Sequence, residues 1–246
     1  MKVVAIIQAR MGSTRLPGKV LMDLAGEPML ARVVNRCRRA VTLHETVVAT
    51  TTQPADEAIT RLCTERGWPC FLGNENDVLD RYVQAAKAYN ADAIVRVTSD
   101  CPLIEPAIID RTVGEFLKRQ PNMDYACNFR PAVPFVSTFP RGLEVEVISR
   151  DVLNRVWQED HNPAWREHVT EYVLHHPDRF RVHGVTNDTD YSHLRWTVDE
   201  KKDLAFVRRI YGHFGHDRFS WLDVLGVLAE HPDWSDINAA VKQKVV

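Results

Sequence analysis

Residues 3–21 read VVAIIQARMGSTRLPGKVL, and this stretch decides the fold. The first five residues are apolar and mostly β-branched, which predicts a strand buried on both faces of an α/β sheet. The chain then changes to two glycines, a proline, hydroxyl residues and the cations Arg10, Arg15 and Lys19. A strand that ends in such a loop places backbone N–H groups and positive charge at the carboxyl edge of the sheet, where open α/β folds bind ligands. The stretch therefore predicts a phosphate-binding loop, although a surface loop with solvated cations has the same composition.

Two familiar nucleotide-binding motifs do not fit this loop. A Walker A motif needs four residues between its glycines and a hydroxyl residue directly after its lysine. Here five residues separate Gly12 from Gly18, and Val20 follows Lys19. A dinucleotide-binding motif needs G-x-G-x-x-G, whereas this loop has only two glycines. The loop therefore belongs to neither class.

The composition is that of an ordinary globular protein. With 246 residues, 45% of them hydrophobic and 26% charged, the chain can form one large α/β domain with a substantial core. Its 31 Lys and Arg residues against 33 Asp and Glu give a net charge of −2, so we expect no general attraction to nucleic acid or membranes. The five cysteines are scattered without a C-x-x-C pair, and no apolar run suits a membrane span or a signal peptide. These features predict a reduced, cytoplasmic protein without a zinc ribbon.

Two later segments place a carboxylate directly after a predicted strand. Residues 93–98 read AIVRVT and lead into Asp100, and residues 195–198 read RWTV and lead into Asp199, with a predicted helix behind it. Because the carboxyl ends of parallel strands meet at one edge of the sheet, both carboxylates would face the first loop. Mg²⁺ favours one or two carboxylates together with substrate phosphate oxygens, so Asp100 suits a metal site, and Asp199 repeats its placement. Aspartate in a turn or at a helix N-terminus is the ordinary alternative.

A proline-rich loop and an alternating segment follow in the second half of the chain. Three prolines predict a stiff loop over residues 129–141, bracketed by Arg130 and Arg141. The LEVEV segment that follows alternates with a period of two, so Glu144 and Glu146 would share one face of a strand. This pattern fits a solvated edge strand as well as a pair of carboxylates that face a substrate.

Five segments resemble the cytidylyltransferases that activate acidic sugars, and most closely the spore-coat polysaccharide biosynthesis protein F family. They are IIQARMGSTRLPGKVL (6–21), RVTSDCPLIEP (96–106), GLEVEV (142–147), REHVT (166–170) and RWTVDE (195–200). The resemblance runs from about residue 3 to residue 240. It implies a three-layer α/β/α fold of the nucleotide-diphospho-sugar transferase (GT-A-like) type, with a mixed, mostly parallel sheet. No repeat or composition break divides the chain, so we expect one domain over residues 1–246 with a lid or dimer-arm insertion around residues 129–190.

The resemblance also implies the ligands of a CTP site. It implies Mg²⁺ held by Asp100 and Asp199, and Arg15, Lys19 and Asp100 as catalytic residues. The implied nucleotide-binding residues are Ala9, Arg10, Gly12, Ser13, Arg15, Lys19 and Thr51. The implied acceptor-binding residues are Arg141, Glu144, Glu146, His168 and Arg195, and Arg166 would reach the acceptor or a dimer partner.

The implied reaction transfers CMP from CTP to a sugar acid or similar small acceptor and releases pyrophosphate, in a homodimer. Such chemistry needs no protein nucleophile, only alignment and neutralisation of charge. One alternative is a GT-A-type glycosyltransferase that uses a sugar-nucleotide donor, because Asp188-Thr189-Asp190 is a weak D-x-D motif. The other is a noncatalytic binding subunit of the same fold. The sequence leaves the acceptor open, since the arginines favour an acid and the two glutamates favour a neutral or amino-bearing molecule.

Overall fold

A seven-stranded mixed sheet forms the centre of this computed structural model, which describes residues 1–129 and 137–242. In the described part of the chain, the strands lie in the spatial order β3-β2-β1-β4-β6-β5-β7. Their bounds are β1 (Val3–Gln8), β2 (Glu45–Thr51), β3 (Cys70–Gly73), β4 (Ala93–Thr98), β5 (Tyr125–Cys127), β6 (Glu146–Ser149) and β7 (Val182–Gly184). β6 is antiparallel to its neighbours β4 and β5, and the other pairs are parallel. The predicted mixed, mostly parallel sheet is confirmed.

Helices cover both faces of the sheet. They are α1 (Met29–Cys37), α2 (Glu57–Arg66), α3 (Val78–Ala88), α4 (Pro106–Lys118), α5 (Arg150–Glu159), α6 (Pro163–His168), α7 (Glu171–His175), α8 (Lys201–Phe214) and α9 (Trp221–Glu230). α1, α2, α4, α8 and α9 contribute to the larger of two apolar cores. α3, α5 and α7 contribute to the core on the opposite face. The arrangement is the predicted helix–sheet–helix sandwich.

Strand β1 shows why its sequence is apolar throughout. Its first five residues have no exposed surface. Val3, Ala5 and Ile7 belong to one core, whereas Val4 and Ile6 belong to the other. Because both faces of the strand are buried, neither face can carry polar side chains, and the alternation typical of a half-exposed strand is absent.

Local contacts fix the ends of the shorter elements. The Asp77 carboxylate caps α3 by accepting the Asp80 N–H at 2.9 Å. The short helices α6 and α7 are separated by Val169, which has φ of 66°. After α9 the chain forms a 3-10 turn, Pro232–Ile237.

Two predicted strands differ from the structure. Residues 195–199 form no strand, and Arg195 makes only an isolated bridge to Arg141. The LEVEV segment becomes regular strand only at Glu146, so β6 contains Glu146 but not Glu144. Gly142 lies directly against the backbone of residues 196–197, and the chain between it and β6 is bonded to Asn128, whose side chain donates to the Leu143 carbonyl and accepts the Val145 N–H.

The segment predicted as a lid or dimer arm contributes to the main sheet. Residues 129–190 contain β6 and β7, and α5 and α6 within them pack on α3. Arg130 and most of the proline-rich loop lie outside the described residues, and the division into a domain with an insertion stays a prediction. No helix in the described ranges has the length and apolar character needed to cross a membrane.

Candidate active site

The loop after β1 is folded back on itself. The Met11 carbonyl accepts N–H groups from both Ser13 and Gly18 at 2.9 Å, and the Ser13 hydroxyl accepts the Leu16 N–H at 3.3 Å. Gly18 has φ of 70°, which the loop needs before the 3-10 turn Lys19–Leu21. Ala9 continues the sheet by donating its N–H to the Ala49 carbonyl at 3.0 Å. The fold thereby fixes the start and end of the predicted phosphate-binding loop.

Asp56 ties this loop to the end of β2. One oxygen of its carboxylate accepts the Met11 N–H at 2.6 Å, and the other accepts the hydroxyl of Thr51. Thr51 is buried and its hydroxyl also accepts the Gln53 N–H at 3.1 Å. The Thr51 hydroxyl therefore supports the loop through Asp56, and its one proton is already donated there.

Lys19 lies between the two predicted carboxylates. Its ammonium group is 2.9 Å from Asp100 Oδ2 and 3.1 Å from Asp199 Oδ1, and it donates to the Val198 carbonyl at 2.7 Å. Burial alone lowers the pKa of Lys19, but the two carboxylates outweigh it, so the net pKa is raised. Lys19 holds the pKa of Asp100 below its ordinary value against the opposing effect of burial. Lys19 and Asp100 are therefore both charged at neutral pH.

The chain segments that carry the two aspartates are bonded to each other. The Asp100 carbonyl accepts the Val198 N–H at 2.8 Å and the Thr197 hydroxyl at 3.2 Å. Two carboxylates almost one hundred residues apart thus belong to one site at the end of β4, as the sequence predicted.

Asp199 is also held by two arginines. Arg15 contacts Asp199 Oδ1 at 2.8 Å from the loop side, and Arg195 contacts Oδ2 at 2.9 Å. Arg195 binds Asp203 as well, with its Nε 2.9 Å from Oδ1. The Asp203 carboxylate in turn accepts the Asp199 N–H at 3.0 Å. Arg195 is therefore engaged in orienting Asp199, and the structure places its guanidinium there rather than free toward an acceptor.

Arg10 and Gly12 form the exposed side of the loop. Arg10 Nη2 lies 3.3 Å from Glu167 Oε1 on α6, and both side chains are substantially exposed. Gly12 is exposed, with no atom within 4 Å of the position a Cβ would take. A surface ion pair of this kind contributes little to stability, so a phosphate group could replace Glu167 as the partner of Arg10 at small cost.

Glu144 lies beside the carboxylate pair. Its Oε2 accepts the Gly142 N–H at 2.6 Å and lies 3.9 Å from Cys101 Sγ. Burial raises the pKa of Glu144, and the nearby charge of Asp100 raises it further. Gly142 has φ of 103°, and a Cβ there would come within 2.6 Å of the Thr197 nitrogen. Glycine is therefore required where this segment meets the backbone of the aspartate site.

Glu146 has a different environment. It is buried in an ion pair with Arg96 of β4, and it accepts hydroxyl groups from Thr170 and, at 3.0 Å, from Tyr125. Because these partners occupy its oxygens, Glu146 as placed cannot also bind an acceptor. The two glutamates of the alternating segment therefore have different roles. Glu144 lies near Asp100, whereas Glu146 links β6 to β4 through its ion pair with Arg96.

The remaining predicted acceptor residues are distributed around this region. Arg141 is exposed, and its charge lowers the pKa of Glu144. His168 is half-buried, and burial and then Arg96 lower its pKa, so its ring is neutral at pH 7. Arg166 is 2.7 Å from Asp77 and donates to the carbonyls of Trp157 and Asp160, which makes it a structural link between α6 and the N-terminus of α3.

The aspartate site fits a divalent cation that shares its coordination with a substrate. In the described residues no group of three or more His, Cys, Asp or Glu side chains is arranged to hold a metal ion. Asp100 and Asp199 supply carboxylate oxygens, and both approach the Lys19 ammonium group within 3.1 Å. Mg²⁺ is commonly bound by one or two carboxylates with phosphate oxygens and waters. The residues therefore suit such an ion once Lys19 turns to a phosphate group.

Comparison with known proteins identifies the family. A family model described as cytidylyltransferase matches residues 4–212. The chain belongs to the cytidylyltransferase family. The spore coat polysaccharide biosynthesis protein SpsF of Bacillus subtilis (strain 168) is 29% identical to this cytidylyltransferase over 239 residues, 94% of this chain and 95% of SpsF. The resemblance to that family stated from the sequence is confirmed.

Two further similarities concern named cytidylyltransferases. A 3-deoxy-manno-octulosonate cytidylyltransferase of Trichlorobacter lovleyi is 39% identical over 118 residues, which are 48% of this chain and 46% of that enzyme. The structure of a cytidylyltransferase from Leptospira borgpetersenii serovar Hardjo-bovis matches this one with a TM-score of 0.90 and 32% identity, over 100% of this chain and 99% of that chain. The protein is therefore a nucleotidyltransferase of this fold.

Sequence reasoning missed three groups that support the site of this cytidylyltransferase. Asp56 directly precedes α2 and Asp203 lies in the first turn of α8, which is an ordinary place for an aspartate, so their partners in the site appear only in three dimensions. The third, Arg96, had a usable signal. A cation in the middle of the apolar strand AIVRVT needs a buried partner, and Glu146 provides it.

Proposed function

We propose that this cytidylyltransferase transfers CMP from CTP to a sugar acid or a similar small acceptor, with release of pyrophosphate, for the biosynthesis of a surface polysaccharide. The observation that carries the proposal is the joining of Lys19 with Asp100 and Asp199 directly below a loop with two further arginines. The site combines cations for a triphosphate with carboxylates for a metal ion. The names of the related proteins support the same class of product.

The loop would bind the triphosphate. The proposed ligands are the side chains of Arg10, Ser13, Arg15 and Lys19, together with backbone groups near Ala9 and Gly12. When CTP binds, Arg15 and Lys19 would exchange the Asp199 carboxylate for phosphate oxygens as their partners. They would then neutralise the charge that develops as pyrophosphate departs. Thr51 acts through Asp56, which holds the Met11 N–H in place.

The acceptor would approach from the side of Glu144 and Arg141. An acceptor oxygen attacks the α-phosphorus of CTP, and the bond between that phosphorus and the oxygen bridging to the β-phosphate breaks. The protein's part is to align the two substrates, because in-line transfer needs no covalent intermediate. Neutral His168 is available to donate or accept one hydrogen bond, while Glu146 and Arg195 position other groups.

Asp100 and Asp199 would hold Mg²⁺ or a similar divalent ion. When bound there, it would polarise phosphate oxygens and bring the two substrates together. The ion must compete with Lys19 for both carboxylates, whereas CTP offers Lys19 a new partner. We therefore expect metal and nucleotide to bind together rather than independently.

Isothermal titration calorimetry with CTP and Mg²⁺ tests this site. The wild-type protein should bind CTP with Mg²⁺ present, and Asp100→Asn should weaken binding while leaving the fold intact by circular dichroism. Asp190→Asn is the matched control, because Asp190 is an exposed turn residue whose carboxylate accepts the Ser192 N–H at 2.8 Å. Loss of binding in Asp190→Asn but not in Asp100→Asn would favour the D-x-D glycosyltransferase. Failure of the wild type to bind CTP would favour a noncatalytic subunit.

The proposal also includes a cytoplasmic homodimer, on the resemblance stated from the sequence. Light scattering coupled to size-exclusion chromatography tests the dimer: a mass of about twice the 28.2 kDa chain supports it. A single-chain mass at micromolar concentration contradicts it.

A further inference from the structure

A groove runs along the exposed face of α8, outside the residues assigned to CTP and the acceptor. Its volume is about 1060 Å³. Besides Leu16, Met22 and Trp234 it is lined by residues of α8 at the three- and four-residue spacing of one helix face, namely Lys201, Leu204, Ala205, Arg208, Arg209, Gly212 and His213. From Lys201 to His213 this face is about 18 Å long. We call this cavity the α8 groove.

The floor of the α8 groove is apolar. Leu16, Leu204 and Trp234 line it although each is at most 7% exposed. Ala205 and Gly212 are exposed positions without long side chains, and a Cβ on Gly212 would meet open space. Because no long side chain stands over the helix at these two positions, an apolar ligand can reach the buried leucines.

Three cations form the rim of the groove. Lys201, Arg208 and Arg209 are exposed, and none of the described residues that line the groove is Asp or Glu. Arg208 donates to the Asp23 carbonyl at 2.9 Å, and the Arg209 guanidinium lies 4.8 Å from the centre of the Trp234 ring. Each contact holds an arginine in place without using a carboxylate. The rim is therefore positively charged, although the whole chain has a net charge of −2.

The shape and charge of the groove favour a small amphipathic anion over other occupants. Small-molecule sites bury mostly apolar surface and use a few polar groups to fix orientation, and this volume is at the upper end of their range. An apolar floor about 18 Å long suits an extended hydrocarbon chain, and the rim suits a carboxylate or phosphate at its end. A second copy of the chain would bring two sets of cations together, which opposes a dimer through this groove.

We propose that the α8 groove binds a single hydrocarbon chain that ends in a carboxylate or phosphate and is free in solution. The hydrocarbon lies on Leu16 and Leu204, and the anionic end binds at Arg208 and Arg209. Leu16 precedes Lys19 in the phosphate loop, so this ligand contacts the segment that carries Lys19. The groove is separate from the nucleotide site, and the proposal holds whichever nucleotide this cytidylyltransferase uses.

A series of alkyl carboxylates tests the floor of the groove. Isothermal titration calorimetry compares the even-numbered chains from hexanoate to hexadecanoate below the concentrations at which they form micelles. Each added methylene should tighten binding about two- to fourfold while the floor still has room for it. Because the groove has a finite length, the affinity should level off at the long end of the series.

A probe of opposite charge tests the rim. Decyltrimethylammonium has a hydrocarbon chain similar to that of decanoate but a cationic end. It should bind at least about 10-fold more weakly than decanoate, because the three rim cations repel it.

Two substitutions assign binding to the α8 groove. Arg209→Met removes a rim cation but retains an apolar side chain, and it should weaken decanoate binding about 10-fold through loss of a charge-assisted contact. Arg61→Met on the exposed face of α2 is its matched control and should bind like the wild type. Ala205→Trp should abolish decanoate binding by covering the floor, whereas Ala88→Trp at an exposed position of α3 should leave it unchanged. All four positions are exposed, and circular dichroism checks that each variant folds.

Several results would overturn the inference. Equal binding of decanoate and decyltrimethylammonium, or an affinity that rises along the series without levelling off, would indicate general hydrophobic adsorption. Unchanged decanoate affinity in both groove variants would place the ligand elsewhere. A dimer that becomes a monomer in Ala205→Trp, measured by light scattering without ligand, would make the groove a contact between copies.

Two further outcomes concern the wild type. No binding of any carboxylate overturns the inference whether or not CTP binds, so its failure is distinct from failure of the proposed function. Sedimentation with phosphatidylglycerol vesicles that Arg209→Met abolishes, in a protein that does not bind decanoate, would assign the groove to a membrane surface instead.

Discussion

Removal of the Arg195 side chain should destabilise the protein, because this arginine lies between two aspartates below the candidate site. Its side chain is 10% exposed, and that of Asp203 has no exposed surface. Breaking a buried ion pair by removing one partner typically costs about 3–5 kcal/mol. Asp203 would keep three other donors, namely the Asn238 amide at 2.9 Å and the N–H groups of Asp199 and Glu200 at 3.0 Å. The expected loss for Arg195→Met is therefore at the lower end, about 3 kcal/mol.

Differential scanning calorimetry measures this loss. For a chain of this size each kcal/mol corresponds to about 2–4 °C, so the melting temperature of Arg195→Met should fall by roughly 6–12 °C. Arg208→Met is the control, since Arg208 is an exposed residue of α8 that donates to the Asp23 carbonyl at 2.9 Å, and it should cost less than about 1 kcal/mol. If Arg195→Met melts like the wild type and only the acceptor KM rises, Arg195 faces the substrate and the reasoning is refuted.

Three further variants test other parts of the structure. Gly142→Ala should lower the free energy of unfolding in urea by about 2–3 kcal/mol, because its Cβ would lie 2.6 Å from a backbone nitrogen at φ of 103°. The control Gly226→Ala, with open space around it in α9, should be neutral or slightly stabilising. Equal effects of the two substitutions would contradict this steric argument. Asp77→Ala should lower the free energy of unfolding by about 1–2 kcal/mol, because it removes both the α3 cap and the ion pair with Arg166. Asp77→Asn should restore the part that belongs to the cap. An unchanged unfolding midpoint in Asp77→Ala would argue against both contacts. Because the pKa of His168 is lowered in the folded protein, its contribution to stability is complete above the unfolded pKa of about 6.5 and declines as the pH falls below that value. The melting temperature of the wild type relative to that of His168→Gln should therefore decrease from pH 7 to pH 5. A difference that stays constant over this range would contradict the burial of the ring.

The central strands and the aspartate site could be predicted because local signals decide them. β4 runs from Ala93 to Thr98 as predicted, since a short apolar run between turn residues is characteristic of a buried strand. The positions of Asp100 and Asp199 at one edge followed from the rule that parallel strands end on the same side, although Asp199 follows an irregular segment rather than a strand. The general rule was sufficient because the Asp100 carbonyl and the Val198 N–H join the two segments.

The roles of charged side chains were less predictable because their partners are distant in sequence. The spacing of Glu144 and Glu146 predicted a shared role, but Arg96 from another strand pairs with Glu146 alone. Arg195 was assigned to the acceptor because it is a cation in a family segment, and its partner Asp203 occupies the first turn of the next helix. A period or a motif indicates which face a side chain is on, but the competing charges around it come from the tertiary structure.

Phosphorus NMR of the protein with CTP, Mg²⁺ and a panel of sugar acids and phosphorylated metabolites observes the proposed transfer of CMP itself. We predict that one acceptor gives inorganic pyrophosphate and a phosphodiester signal of CMP joined to the acceptor in equal amounts, and that Asp100→Asn gives neither. Release of a nucleoside diphosphate from a sugar-nucleotide donor, or full turnover by Asp100→Asn, would contradict it.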